Sequence, residues 1–174
     1  LLSSVDMMEE FSLRQRAVKA LGHLGNERAL DTLLRFVGED GHALQEESAE
    51  AIGHLHDSAQ KDRIFDMLKR MSTAEELSYG LNMAALSGLR HFGGEAAWIL
   101  IRREASHRSW RIRERIAELL GFADHPENHE LLIKILKEED DYDVLRAAAK
   151  SLRRLLGDTL EVNYVLLQSS DADL

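Results

Sequence analysis

The stretch AVKALGHLG at residues 17–25 returns as SAEAIGHLH at 48–56 and as ALSGLRHFG at 85–93. Two looser copies follow, IAELLGFAD at 116–124 and AAKSLRRLL at 148–156. Aligned on one apolar residue, the copies bring Leu21, Ile52, Leu89, Leu120 and Leu152 into register, at intervals of 31, 37, 31 and 32 residues. A period of this size is the mark of stacked helical hairpins, one per repeat.

Each unit reads the same way inside. A first helix carries the small residues Ala17 and Ala20 and then Leu21 and Leu24, and it breaks at Gly25-Asn26. A second helix, ERALDTLLRFV, sets Leu30, Leu33, Leu34 and Val37 at i, i+3, i+4 and i+7, one apolar stripe of an α-helix. Small residues let two helices approach closely, and Gly25 suits a left-handed C-cap. Ser12-x-x-Gln15, Ser72-x-x-Glu75 and Asp124-x-x-Glu127 have the form of capping boxes. Pro126 then falls in a first turn, where its missing N–H costs little. The spacing predicts helix pairs at about 12–24 and 27–37, 43–55 and 59–71, 74–92 and 95–104, 110–122 and 126–138, and 142–156 and 159–167. The five hairpins thus span about 12–37, 43–71, 74–104, 110–138 and 142–167, a single array over residues 1–174.

Composition agrees. There is one proline in 174 residues, β-branched residues are sparse, and no stretch alternates with period two, so the chain reads as all-α. Hydrophobic content of 44% with 30% charge is too apolar for disorder. The absence of cysteine rules out a disulfide framework and a thiolate metal site; it fits a reducing compartment, and a cytoplasmic location is expected. No apolar run reaches the length of a membrane-spanning helix. LLSSVD at 1–6 and LLQSSD at 166–171 stand at the same phase of the repeat, and no initiator Met is present, so the chain is expected to be a piece of a longer array or multidomain protein.

LRQRAVKALGHLGNERALDTLL, IRERIAELLG and VLRAAAKSLRRLLGD resemble HEAT-like repeats, in the short form also found in phycobilisome lyase subunits. The resemblance covers about residues 12–167. It implies a right-handed α-α superhelix, an α-solenoid, with first helices convex and second helices concave. Gln45 and Asn82 depart from its usual arginine, which stands at Arg14 in the first repeat.

The residues were tested for chemistry. Deoxyhypusine hydroxylase is built on such repeats and binds iron through paired His-Glu motifs. The matching positions here are Gln15-Arg16, Glu46-Glu47, Met83-Ala84, Glu114-Arg115 and Arg146-Ala147, none of them His-Glu. His23, His54 and His91 align across three repeats. Stacked helices lie about 8–10 Å apart, too far for three ligands of one zinc with bonds of about 2.0–2.1 Å. These histidines are therefore read as amphipathic residues near helix C-termini, where a ring N–H meets a free carbonyl. His125 and His129 are spaced i, i+4 without a clear third ligand. No phosphate loop or nucleophile motif occurs. No enzyme activity, cofactor or metal is expected.

Stacked hairpins bind along the exposed side of their second helices. Equivalent positions there are Arg35, Asp66, Arg103 and Lys134, with Asp31, Asp62, Ile99 and Glu130 one turn earlier. Both columns mix charges, which suits a protein partner better than a phosphate track. RREASHRSWRIRER at 102–115 is different: six arginines against two glutamates leave +4 there and −13 in the remainder of a chain of net charge −9. Arg113 and Arg115 repeat Arg14 and Arg16, and Arg102 and Arg103 sit at a helix end that favours cations. The acidic EEDDYD at 138–143 falls where the next loop should pair with this edge. The structural reading is a seam between hairpins; the functional one is docking through Arg35, Ile99, Arg103, Arg108, Trp110, Arg111 and Lys134. The expected function is a non-catalytic scaffold binding a protein or another domain of its parent chain. The alternatives are a nucleic-acid-binding solenoid using residues 102–115 and a phycobilin lyase-like subunit.

Overall fold

A computed structural model describes residues 2–25, 27–38, 42–55, 59–74 and 77–157, with the side chains of 2–9, 27, 38, 42 and 43 left aside. The elements among the described residues are all helices, without a strand. In chain order they form α1 (Leu2–His23), α2 (Leu30–Gly38), α3 (His42–Gly53), α4 (Lys61–Thr73), α5 (Tyr79–Phe92), α6 (Gly94–Arg103), α7 (Trp110–Leu120), α8 (Pro126–Glu138) and α9 (Tyr142–Leu156). Short 3₁₀ turns at Glu27–Ala29 and Glu104–Ser106 flank α2 and α6. The predicted helix at 159–167 lies outside the described residues.

The chain forms two compact units, Leu1–Trp98 and Ile99–Leu174. In the first, α1, α3 and α5 pack side by side, while α2 rests on α3 and α4 on α5. In the second, α7 packs on α9 and α8 rests on α9. The rule is the same in both: the second helix of a hairpin covers the first helix of the next, as in an α-solenoid. The aligned Ile52, Leu89, Leu120 and Leu152 are buried, as are Leu30 and Leu33 of the α2 stripe. Burial of each such side chain contributes about 1.5–3 kcal/mol.

The close approach comes from residues other than those predicted. Ala17 and Ala20 are exposed, and Leu24 is 75% exposed. Contact is made one position after the register residue. A Cβ on Gly22 would lie 2.8 Å from the Ala51 Cβ, one on Gly53 would run into the Gly88 backbone, and one on Gly121 would lie 2.6 Å from Ser151. Glycine followed by a small residue in the next repeat is the contact that sets first helices against each other.

Helix starts also move. α1 begins at Leu2 rather than at about 12, because no Gly or Pro interrupts residues 2–11, and Ser12 is interior. Ser72 lies in the last turn of α4, where its hydroxyl donates to the Lys69 carbonyl at 2.9 Å. α5 begins five residues later than predicted, with Ser78 accepting from Leu81 N at 3.2 Å. At α8 the cap is His125, not Asp124: its Nδ1 accepts from Glu127 N, and Pro126 follows in the first turn. Asp141 caps α9 by accepting from Asp143 and Val144 N. Gly93 and Gly157 close α5 and α9 at φ of 74° and 69°, left-handed backbone suited to glycine.

Candidate interaction surfaces

The arginine-rich segment divides by function once folded. Arg113, on α7, forks onto Glu139 at 2.7 and 2.9 Å and donates to the carbonyls of His107 and Arg108. The carboxylate also accepts from the Asp140 and Asp141 amides. The Arg113 hydrogen bond holds Glu139 below the usual carboxylate range against the opposing effect of burial, and the same bond raises Arg113. Arg102 reaches Glu127 at 2.9 Å and Asn128 at 3.2 Å with its side chain 10% exposed. Asn128, fully buried, passes the tie on by donating to the carbonyls of Leu120 and Ala123. Arg115 pairs with Glu118 along its own helix. Three of the six arginines thus belong to the packing of the second unit.

The family's departures at Gln45 and Asn82 have a physical explanation. Gln45 donates to the Val37 carbonyl at 3.1 Å. Asn82 donates to the carbonyls of Met71 at 2.7 Å and Ala74 at 3.0 Å. Arg113 does the same at residues 107 and 108. All three satisfy carbonyls left over just beyond or at the end of the preceding helix. Arg14, with α1 continuing unbroken before it, pairs along its helix with Glu10 and with no other carboxylate among the described residues.

The remaining arginines face solvent. Arg103 and Arg108 are exposed, and Arg111 lies over the Trp110 ring at 4.7 Å. Among the other candidates, Arg35 is exposed beside Phe36 in the first unit. All eight positions of the two predicted columns are exposed, Ile99 by 54%. In the second unit Ile99, Arg103 and Lys134 come together: with Arg102, Glu127, Glu130 and Leu131 they line a shallow groove of about 480 Å³ between α6 and α8. It continues through Arg102, Leu131 and Lys134 into a pocket of about 350 Å³ bounded by Ala105, Ile135, Glu138 and Glu139. Trp110, Arg108 and Arg111 stand at the entry to α7 and are not among the groove residues. Arg103 and Glu130 make no ion pair among the described residues, and Lys134 reaches Glu138 only at 3.8 Å. Four glutamates line the groove and its extension, so this is no basic track for phosphates.

Sequence reasoning missed the histidine column. His23 and His54 have ring centroids 4.7 Å apart, and His54 and His91 3.8 Å. The expected separation by helix spacing fails, because glycine contacts at Gly22 and Gly53, each next to its histidine, bring the helix ends together. In the second unit the equivalent positions hold Phe122 and Arg154, which stack at 4.5 Å. The signal was the recurring Gly-His, Gly-His and Gly-Phe after the register residue. Burial, followed by the neighbouring His91 and His23, lowers His54 to a pKa of about 4. His125 and His129 do not converge: His125 caps α8, and His129 Nε2 lies 3.0 Å from Asp124 Oδ1 without hydrogen-bond alignment. No cluster of three or more His, Asp or Glu suited to a metal occurs among the described residues.

The paired helices and their repeated contacts define a helical-repeat protein. The family model for HEAT repeats matches residues 5–76. Among solved structures, human deoxyhypusine hydroxylase, in complex with glycerol, aligns over 92% of this chain and 78% of its own, with 15% identity and a TM-score of 0.48. At that level the likeness speaks to neither activity nor ligand. No curated protein matches. No described helix is long and apolar enough to cross a membrane.

Proposed function

We propose that this chain is a non-catalytic interaction module that takes a protein segment in the groove between α6 and α8. The observation that carries the reading is Ile99. It is more than half exposed at a position where the other repeats carry Asp31, Asp62 and Glu130, and it lies beside Leu131 with Arg103 and Lys134 at the rim. An apolar anchor on the partner covers Ile99 and Leu131, and a carboxylate meets Arg103, while rim charges set register and rate. Further support is the lack of any His-Glu pair at Gln15-Arg16, Glu46-Glu47, Met83-Ala84, Glu114-Arg115 and Arg146-Ala147.

Peptide-display selection against the purified chain tests the proposal. Selected peptides should carry an apolar residue near an acidic one, and Ile99→Glu and Arg103→Glu should each weaken them at least about tenfold. Binders indifferent to both substitutions defeat it. Tight binding of DNA that falls steeply with salt supports the nucleic-acid alternative instead.

A further inference from the structure

The histidine column sits in a defined electrostatic setting. A groove of about 310 Å³ is lined by Lys19 and His23 of α1, Glu47 and Glu50 of α3, His54 just past its end, and Arg90 and His91 of α5. Glu47 accepts from Gln15 at 2.8 Å. No charged side chain of α2 or α4 lines this groove among the described residues.

His91 holds the informative contacts. Its Nε2 lies 2.6 Å from Arg90 Nη2 and 3.3 Å from Glu50 Oε1. A guanidinium only donates, so the Arg90 bond requires a bare lone pair on Nε2 and a neutral ring. An ionised carboxylate only accepts, so the Glu50 bond requires a proton on that same nitrogen. The two bonds therefore exclude each other at one nitrogen. With Nε2 bare the ring is neutral and tied to Arg90; with a proton on Nε2, in the other neutral tautomer or in the charged ring, it turns to Glu50, and the charged ring has only that choice because it repels Arg90.

We propose that the His23–His54–His91 stack is a proton switch. Uptake of a solvent proton at His91 Nε2 exchanges the Arg90 bond for the Glu50 bond and breaks the stack at His54. The rings of His54 and His91 are tilted by 35° with centroids 3.8 Å apart; a charged His91 ring in that position meets Arg90 unfavourably and, in turning to Glu50, leaves His54. The consequence is local, because the rings stand at the C-terminal ends of α1, α3 and α5. Those ends separate in acid while the apolar layer beneath, Ile52 and Leu89, remains packed.

Hydrogen exchange on the intact chain, corrected for intrinsic rates, tests this. Between about pH 7.5 and about pH 4.5, amides at 20–23, 50–54 and 88–92 should lose at least about tenfold more protection than those of α7–α9. Glu50→Gln should move the loss to lower pH, since the charged ring then lacks its counter-charge. His54→Phe keeps a flat ring that cannot titrate and should blunt the loss; if it fails to fold at neutral pH, His54→Gln is measured in its place. Protection lost uniformly over the chain, or an unchanged profile in Glu50→Gln, overturns the proposal.

Discussion

The ring of His54 lies with its centroid 3.8 Å from that of His91 and 4.7 Å from that of His23. Burial and these two neighbours lower its pKa to about 4, against 6.5 in an unfolded chain. Between those values the unfolded chain takes up a proton that the folded one refuses. The stability associated with His54 is therefore fully present above about pH 6.5 and is lost as pH falls toward about 4. Partial solvent exposure reduces its size. The melting temperature should fall over this window, and less so in His54→Gln; identical pH profiles for the two proteins refute the assignment.

Gly53 and Gly157 separate space from backbone. Gly53 has ordinary helical backbone but no room for a Cβ against Gly88, whereas Gly157 has left-handed backbone and open space. Gly53→Ala should cost about 2–3 kcal/mol by forcing α3 and α5 apart. Gly157→Ala should cost about 1 kcal/mol through strain at the helix end. Urea midpoints decide, and equal losses contradict the steric account.

Arg113 and Glu139 form a mostly buried fork, with side chains 20% and 12% exposed. Arg113→Ala leaves the carboxylate and the His107 and Arg108 carbonyls short of a donor and should cost about 2 kcal/mol. Arg113→Lys cannot reproduce the fork and should restore less than half. High salt should leave the wild-type stability almost unchanged, since partly buried pairs are poorly screened. Full rescue by lysine in thermal melts counts against a geometric role.

Arg108 and Arg111 are a different matter. Both are exposed, and the stacking of Arg111 on Trp110 is worth about 0.5–1 kcal/mol. The double substitution Arg108→Glu, Arg111→Glu should leave the melting temperature nearly unchanged. A domain that unfolds instead shows that these arginines belong to the seam with Arg102 and Arg113.

Much of the fold was readable in advance because apolar periodicity is local. The register residues and the α2 stripe are visible as letters, and the exposed columns follow by phase. Helix starts were harder. Ser12, Ser72 and Asp124 each have capping chemistry, but a cap needs the chain to turn there, and at Ser12 and Ser72 it stays helical. The α6–α8 groove was half visible: Ile99, Arg103 and Lys134 share a column, while the part played by Arg102 and Glu127 in walling it depends on how two helices pack.

By itself the sequence determined the repeat, its register residues and the buried stripe of α2, because these depend on spacing within one or two turns; in and just after α1 the structure exposes Ala17, Ala20 and Leu24 instead. Tertiary structure alone decided which polar groups meet across repeats. His54 and His91 are 37 residues apart, and only the missing side chains of Gly53 and Gly88 let their rings touch. Arg14 and Arg113 occupy the same repeat position, yet Arg14 pairs along its own helix with Glu10, whereas Arg113 has a helix end before it and forks onto Glu139, 26 residues on.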